Sequence, residues 1–213
     1  MKKIILGAAL MLLSISSSQA TLLSANGTIL NALDLNGVAS SFEDFYDYDA
    51  NGKASANTGY ESEGIVSVFF AELNNEIGIF TIAKGTNGLV TNLDMSAIGT
   101  EGGYSFVEEK NEQESLTSVS WTIYNRKTDG SIYSGFTTND WSVDFSFSNL
   151  TNIDQYQILT FTGTNASVIE LGSLADGFVL SSFEAVNLNL VPEPSLIGLL
   201  GLGIIGLRLR RKV

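Results

Sequence analysis

Polar and apolar residues alternate one for one over much of the chain. Trp141-Ser142-Val143-Asp144-Phe145-Ser146-Phe147 does so strictly, as does Val119-Ser120-Trp121-Thr122-Ile123, and Phe183 to Leu190 nearly does. A period of two places every second side chain on one face of a strand, so each segment reads as a β-strand with one buried face. Further strands are expected at Ile65–Phe70, Ile77–Ala83, Ser105–Glu108, Ile132–Phe136, Ile158–Thr162 and Val168–Leu171. Leu73-Asn74-Asn75-Glu76 and Lys127-Thr128-Asp129-Gly130 read as turns, and Asn92–Ala97 as a short helix. Nine or ten short strands joined by polar turns predict an all-β fold, a single β-sandwich of jelly-roll type spanning residues 21–190.

The two ends break this pattern. Residues 1–20 have Lys2-Lys3, an apolar run from Ile4 to Leu13, and Ser18-Gln19-Ala20 with small residues at −3 and −1. This is the layout of a secretory signal peptide, cut between Ala20 and Thr21 after passage through the export machinery to signal peptidase. At the other end Pro192-Glu193-Pro194 precedes the apolar, glycine-containing stretch Ser195–Leu207, and the basic side chains Arg208, Arg210, Arg211 and Lys212 close the chain. Thirteen helical residues cover about 20 Å against a hydrocarbon core of about 30 Å. The terminal cations extend the span by snorkelling and favour the cytoplasmic side, so residues 191–213 are expected to hold a short transmembrane helix. Both prolines have fixed φ, and Glu193 is biased to extended conformations by Pro194. A processing enzyme can bind so stiff a peptide with little ordering cost.

These three ordered elements at 191–213 resemble the PEP-CTERM protein-sorting domain. The resemblance implies recognition by exosortase, a transpeptidase-like membrane enzyme of Gram-negative bacteria. It also implies a precursor held transiently in the inner membrane, removal of the tail, and delivery to the cell surface or an exopolysaccharide matrix. Leu209 interrupts the basic run, a mild departure from the family pattern.

Composition narrows the rest. The 213 residues contain no Cys and no His, which excludes disulfides, Cys/His zinc sites, Cys nucleophiles and histidine-based triads. Residues 21–191 keep 5 of the 11 basic and 22 of the 23 acidic side chains, a formal charge of −17. Nucleic acid is therefore not an expected partner. All 12 Phe, 7 Tyr and 2 Trp lie between Phe42 and Phe183, enough for one core.

Asp47-Tyr48-Asp49-Ala50-Asn51-Gly52 matches the first half of a calcium loop, with Asp47, Asp49 and Asn51 as oxygen ligands and Gly52 for the turn. The twelfth position is Thr58 where a bidentate Glu belongs, so a carboxylate would have to come from Glu43, Asp44, Glu61 or Glu63. The same residues also read as a plain solvated loop. Tyr124, Tyr133, Trp121 and Trp141 are candidates for a carbohydrate-binding face, although their alternation suits a core equally well. Glu108-Glu109 with Glu112 and Glu114 reads as a charged loop, and no carboxylate pair stands out for glycoside hydrolysis. The expectation is an exported structural or interaction protein of the surface or matrix, not an enzyme. A carbohydrate-binding module on exopolysaccharide, with calcium as its possible ion, is the alternative, and a secreted hydrolase the third reading.

Overall fold

A computed structural model describes residues 21–47, 55–109, 112–138 and 140–187. In chain order the strands are β1 (Thr21–Ala25), β2 (Thr28–Leu30), β3 (Leu33–Asp34), β4 (Ile65–Leu73), β5 (Glu76–Lys84), β6 (Val90–Gly99) and β7 (Gly103–Val107). They continue with β8 (Gln113–Ser115), β9 (Ser118–Tyr124), β10 (Thr128–Ser134), β11 (Trp141–Thr151), β12 (Gln155–Thr162), β13 (Asn165–Ser173) and β14 (Val179–Asn187). One short helix, α1 (Phe42–Tyr46), lies between β3 and β4.

The strands form two sheets, as a sandwich requires. Sheet A runs β2-β1-β14-β11-β6-β9-β8, and sheet B runs β13-β12-β4-β5-β10-β7 with β3 added beside β4. Pairing is antiparallel except for β12 with β4 and β3 with β4. Antiparallel neighbours such as β4 and β5 need only a tight turn, and Asn74 and Asn75, both left-handed at φ 53° and 66°, supply it. A parallel pair needs a long connection. Between β3 and β4 that connection is residues 35–64, and it contains α1.

The two sheets bury different patterns. In sheet A, β6, β9 and β11 alternate between buried and half-exposed positions. Leu93, Met95, Trp121, Ile123, Val143, Phe145 and Phe147 point inward against Val66, Val68, Phe70, Ile79 and Ile158 of sheet B. The outward positions carry serines and acids that bond one another, Ser120 Oγ to Asp94 at 2.5 Å and Ser24 Oγ to Glu184 at 2.9 Å. In sheet B, β4 and β5 are buried almost continuously from Val66 to Ala71 and from Gly78 to Ala83. Their second face, Phe69, Ala71, Phe80 and Ile82, forms a separate apolar cluster covered by Leu33, Leu35, Phe42, Phe45, Tyr46 and Tyr60. A strand covered on both faces loses its alternation, which is why Ile65–Leu73 reads as an apolar run.

Several expectations change here. Asn92–Ala97 is not helical. It lies within β6, and Thr91, Leu93, Met95 and Ala97 are its buried positions, a period of two. Thr128-Asp129-Gly130 is not a turn but the buried start of β10, and the chain reverses just before it around left-handed Asn125. The short strands β1, β2, β3 and β8 carry too few residues for periodicity to reveal them.

Thr21 pairs with Asn187, so the first and last described residues lie opposite each other in the β1–β14 pair.

Phe80 stacks on Phe69 at 5.1 Å and takes the edges of Phe42 and Phe45 at 5.8 and 5.7 Å. Phe80→Ala should cost about 3–5 kcal/mol. At roughly 2–4 °C per kcal/mol the melting temperature falls by about 6–20 °C, whereas exposed Ile98→Ala should leave it nearly unchanged. Calorimetric melting of the two variants checks this.

Candidate functional site

The connection over the outer face of sheet B concentrates the polar chemistry. α1 is capped by Ser41, whose Oγ accepts from Asp44 N at 3.0 Å, while the Asp44 carboxylate accepts from the N–H of Ser40, the residue before the cap, at 2.7 Å. Two glycines seat its aromatic side chains. A Cβ on Gly78 would lie 3.2 Å from the Phe42 ring, and one on Gly130 would lie 2.7 Å from the Tyr46 hydroxyl and 2.6 Å from Thr81 O. Tyr46 therefore reaches over the bare backbone of β10 and is fully buried.

At the end of that reach the Tyr46 hydroxyl donates to Glu108 Oε2 at 2.5 Å. Glu108 follows β7 and bonds Gly130 O through its N–H. Its neighbour Asp129, opposite Ala83, faces the other side of the sheet. Glu108 and Asp129 are only 8% and 7% exposed. Burial pushes the Glu108 carboxyl up to about 8, partly opposed by the Tyr46 hydrogen bond and reinforced by the charges of Glu112 and Glu109. Burial and then the charge of Glu108 push Asp129 up to about 9, and burial with Glu109 pushes Glu112 up to about 7. Tyr46 is held well above its ordinary value by burial and by Glu108. The stretch expected to be a charged loop thus contributes buried, proton-holding carboxyls. Nothing in its sequence marks this, because Tyr46 is 62 residues away.

Beside this knot is a cleft of about 600 Å³ lined by Ser55, Asn57, Lys84, Asn125, Arg126 and Lys127, among others. It gathers three of the five basic residues of the exported domain. Arg126 Nε lies 3.5 Å from Glu63 Oε2. Glu108, Asp129 and Glu112 are not among the residues lining it.

Of the expected calcium ligands, Asp49 and Asn51 lie outside the described residues. Asp47 closes α1 in a left-handed conformation at φ 55°, with its N–H on Glu43 O and its carbonyl accepting from Asn57 Nδ2 at 3.0 Å. Glu61 accepts from Thr58 N and Oγ1 and Gly59 N, and Glu63 from Asn87 N, so both already serve as local anchors. Among the described residues no group of three or more acidic side chains is placed to hold a metal ion. Of the aromatic candidates, Trp121, Tyr133 and Trp141 are core residues, and only Tyr124 is exposed, at 60%. Trp141 stacks on Phe136 at 3.8 Å. A planar row of exposed rings is therefore not built from these four.

Pro192, Glu193, Pro194, Arg208, Arg210, Arg211 and Lys212 lie outside the described residues, as do Ala20 and the rest of the expected signal. Among the described residues no helix is long and apolar enough to cross a membrane. Residues 190–212 match the family model of the PEP-CTERM protein-sorting motif. No match was found among curated proteins or solved structures. The chain thus carries a PEP-CTERM sorting motif at its C-terminus, with exosortase as the implied processing partner and membrane-associated sorting before surface display as the implied route.

The buried carboxyls set a pH dependence. Below about pH 4 they are protonated in folded and unfolded chains alike, and their contribution to stability is fully present. As pH rises the unfolded chain ionises first, so the folded state holds the extra protons and stability falls until pH passes about 9. One group contributes at most ~1.4 kcal/mol per pH unit. Melting temperature should drop between pH 5 and 9, and the Glu108→Gln/Asp129→Asn double variant should flatten that slope. A wild-type melting temperature that rises over this interval contradicts the arrangement.

Proposed function

We propose that the protein is a non-catalytic β-sandwich delivered to the cell surface or its surrounding matrix, where it acts as a structural or interaction component. The observation that carries this is the match to a sorting motif at 190–212 directly behind β14, only a few residues from its last strand position. The domain is supported on the cargo side by its build. It is one compact unit from Thr21 to Asn187, and its perturbed carboxyls are sealed under Tyr46 or against the sheet instead of converging in the cleft. A pair sealed in this way has no room for a saccharide and a water between its members.

A second reading, binding of an acidic exopolysaccharide, is favoured by one specific observation. In a domain of charge −17, Lys84, Arg126 and Lys127 line a single cleft with amides, hydroxyls and one carboxylate, Glu61, and exposed Tyr124 precedes Arg126 by two residues. Cations with amide donors suit carboxylated sugars, and an exposed ring suits a sugar face. Asn57, which lines this cleft, donates to the carbonyl of Asp47, the first residue of the expected calcium loop.

Replacing Pro192 and Pro194 by Ala removes the stiff extended segment. The wild-type protein should be found at the surface with its tail removed. The variant should stay in the inner membrane with its C-terminal mass intact. Surface delivery of the double variant with the wild-type C-terminus would overturn the sorting reading.

A further inference from the structure

The basic cleft and the sealed carboxyls are built from the same pieces. Ser55, Ala56 and Asn57 line the cleft, and the Asn57 N–H donates to the Tyr46 carbonyl at 3.2 Å. The hydroxyl of that same Tyr46 donates to Glu108. Lys127 and Thr128 also line the cleft, and the next residue in the chain is Asp129. Ser55 clips the two parts together, because its Oγ accepts from Thr128 N at 2.9 Å and shares a hydrogen bond with Thr128 Oγ1 at 2.5 Å. Glu108 and Asp129 thus stand behind the lining without entering the cleft, at 8% and 7% exposure.

Charge in that position acts on the cleft through protein, where a Coulomb interaction is about four times stronger than through bulk water. Lys127 lies close enough to favour the ionised form of both carboxyls, so each carboxylate, once formed, offsets that cation. The other groups facing the two carboxyls are the Tyr46 hydroxyl from α1 and Glu109 and Glu112 from the β7–β8 connection, and the two carboxyls face each other. Within the cleft the balance of charge is close. Lys84, Arg126 and Lys127 stand against Glu61 in the lining and Glu63 beside Arg126, a formal +1. Ionising both Glu108 and Asp129 turns this local charge to −1.

We propose that the protons on Glu108 and Asp129 regulate the cleft, which holds an acidic glycan while both carboxyls are protonated and releases it as they ionise. The cleft has to be an acidic-glycan site for this to hold. Burial sets the two ionisations at about pH 8 for Glu108 and about pH 9 for Asp129, so the cleft grips fully at pH 6 and loses its hold toward pH 9. The coupling is reciprocal. A bound anion makes each ionisation costlier, so binding at pH 8 takes up protons. A polyanionic matrix concentrates cations, protons included, and so favours the holding state.

The test is titration calorimetry of the exported, processed protein with polygalacturonate at fixed ionic strength. The polymer's carboxylates stay ionised from pH 6 to 9, and circular dichroism checks folding at each pH. Wild type should bind at pH 6 and at least about fivefold more weakly at pH 9. Glu108→Gln/Asp129→Asn keeps both positions neutral, so it should bind like wild type at pH 6 and lose the pH dependence. At pH 8 wild type should take up protons on binding, read as heat that scales with the ionisation enthalpy of the buffer, and the double variant should not. No binding at pH 6, or binding indifferent to Lys84→Gln/Lys127→Gln, overturns the cleft as a glycan site and the regulation with it. Binding that needs the two lysines but is equal at pH 6 and 9, weakens equally in wild type and the carboxyl variant, or takes up no protons overturns the regulation and leaves the cleft.

Discussion

Sheet B is apolar on both faces, and a sheet with two apolar faces needs two covers. Sheet A supplies the first. The second comes from described residues of the connection between β3 and β4, whose parallel pairing makes a long connection necessary. Phe42, Phe45 and Tyr60 close over Phe69, Phe80 and Phe161 in a set of edge and stacked contacts, and Tyr46 packs on Phe106 at 4.9 Å. Gly78 and Gly130 exist as glycines because the rings lie against the backbone there.

The same cover explains the acid knot. Once Tyr46 is drawn down over β10, its hydroxyl needs a partner in a dry place, and Glu108 provides it. A buried hydroxyl and a buried carboxyl satisfy each other, with the carboxyl retaining its proton over a wide pH range. In a strongly acidic domain this also lowers the charge carried at neutral pH, and it keeps the covering segment in register with β7 and β10. The neighbouring cleft collects cations for a related reason, because Lys127 lies close enough to oppose the charge of both Glu108 and Asp129.

Sheet A is organised by the opposite rule. Its outer face is wet, so serines and acids alternate with core residues and bond across strands. Asp144 also accepts from the N–H of left-handed Ser182 at 2.7 Å, where the β11–β14 register shifts. This sheet also sets Thr21 and Asn187 opposite each other in the β1–β14 pair.

The end signals, the β class and the aromatic core are local properties of the chain. Charge, length and small residues around Ala20, the Pro-Glu-Pro tripeptide with its basic end, and the alternation at 119–123 and 141–147 each lie within one short window. Even Asn92–Ala97, expected as a helix, has its true period of two visible once Thr91 is counted with Leu93, Met95 and Ala97. What only the tertiary structure decided depends on residues far apart in the chain. The burial of Glu108 requires Tyr46 to arrive from another segment, and the core role of Trp121 and Trp141 requires a facing sheet. The exposed edge of β13 is a matter of strand order, because alternation says which residues share a face and carries no information about which strand has a neighbour.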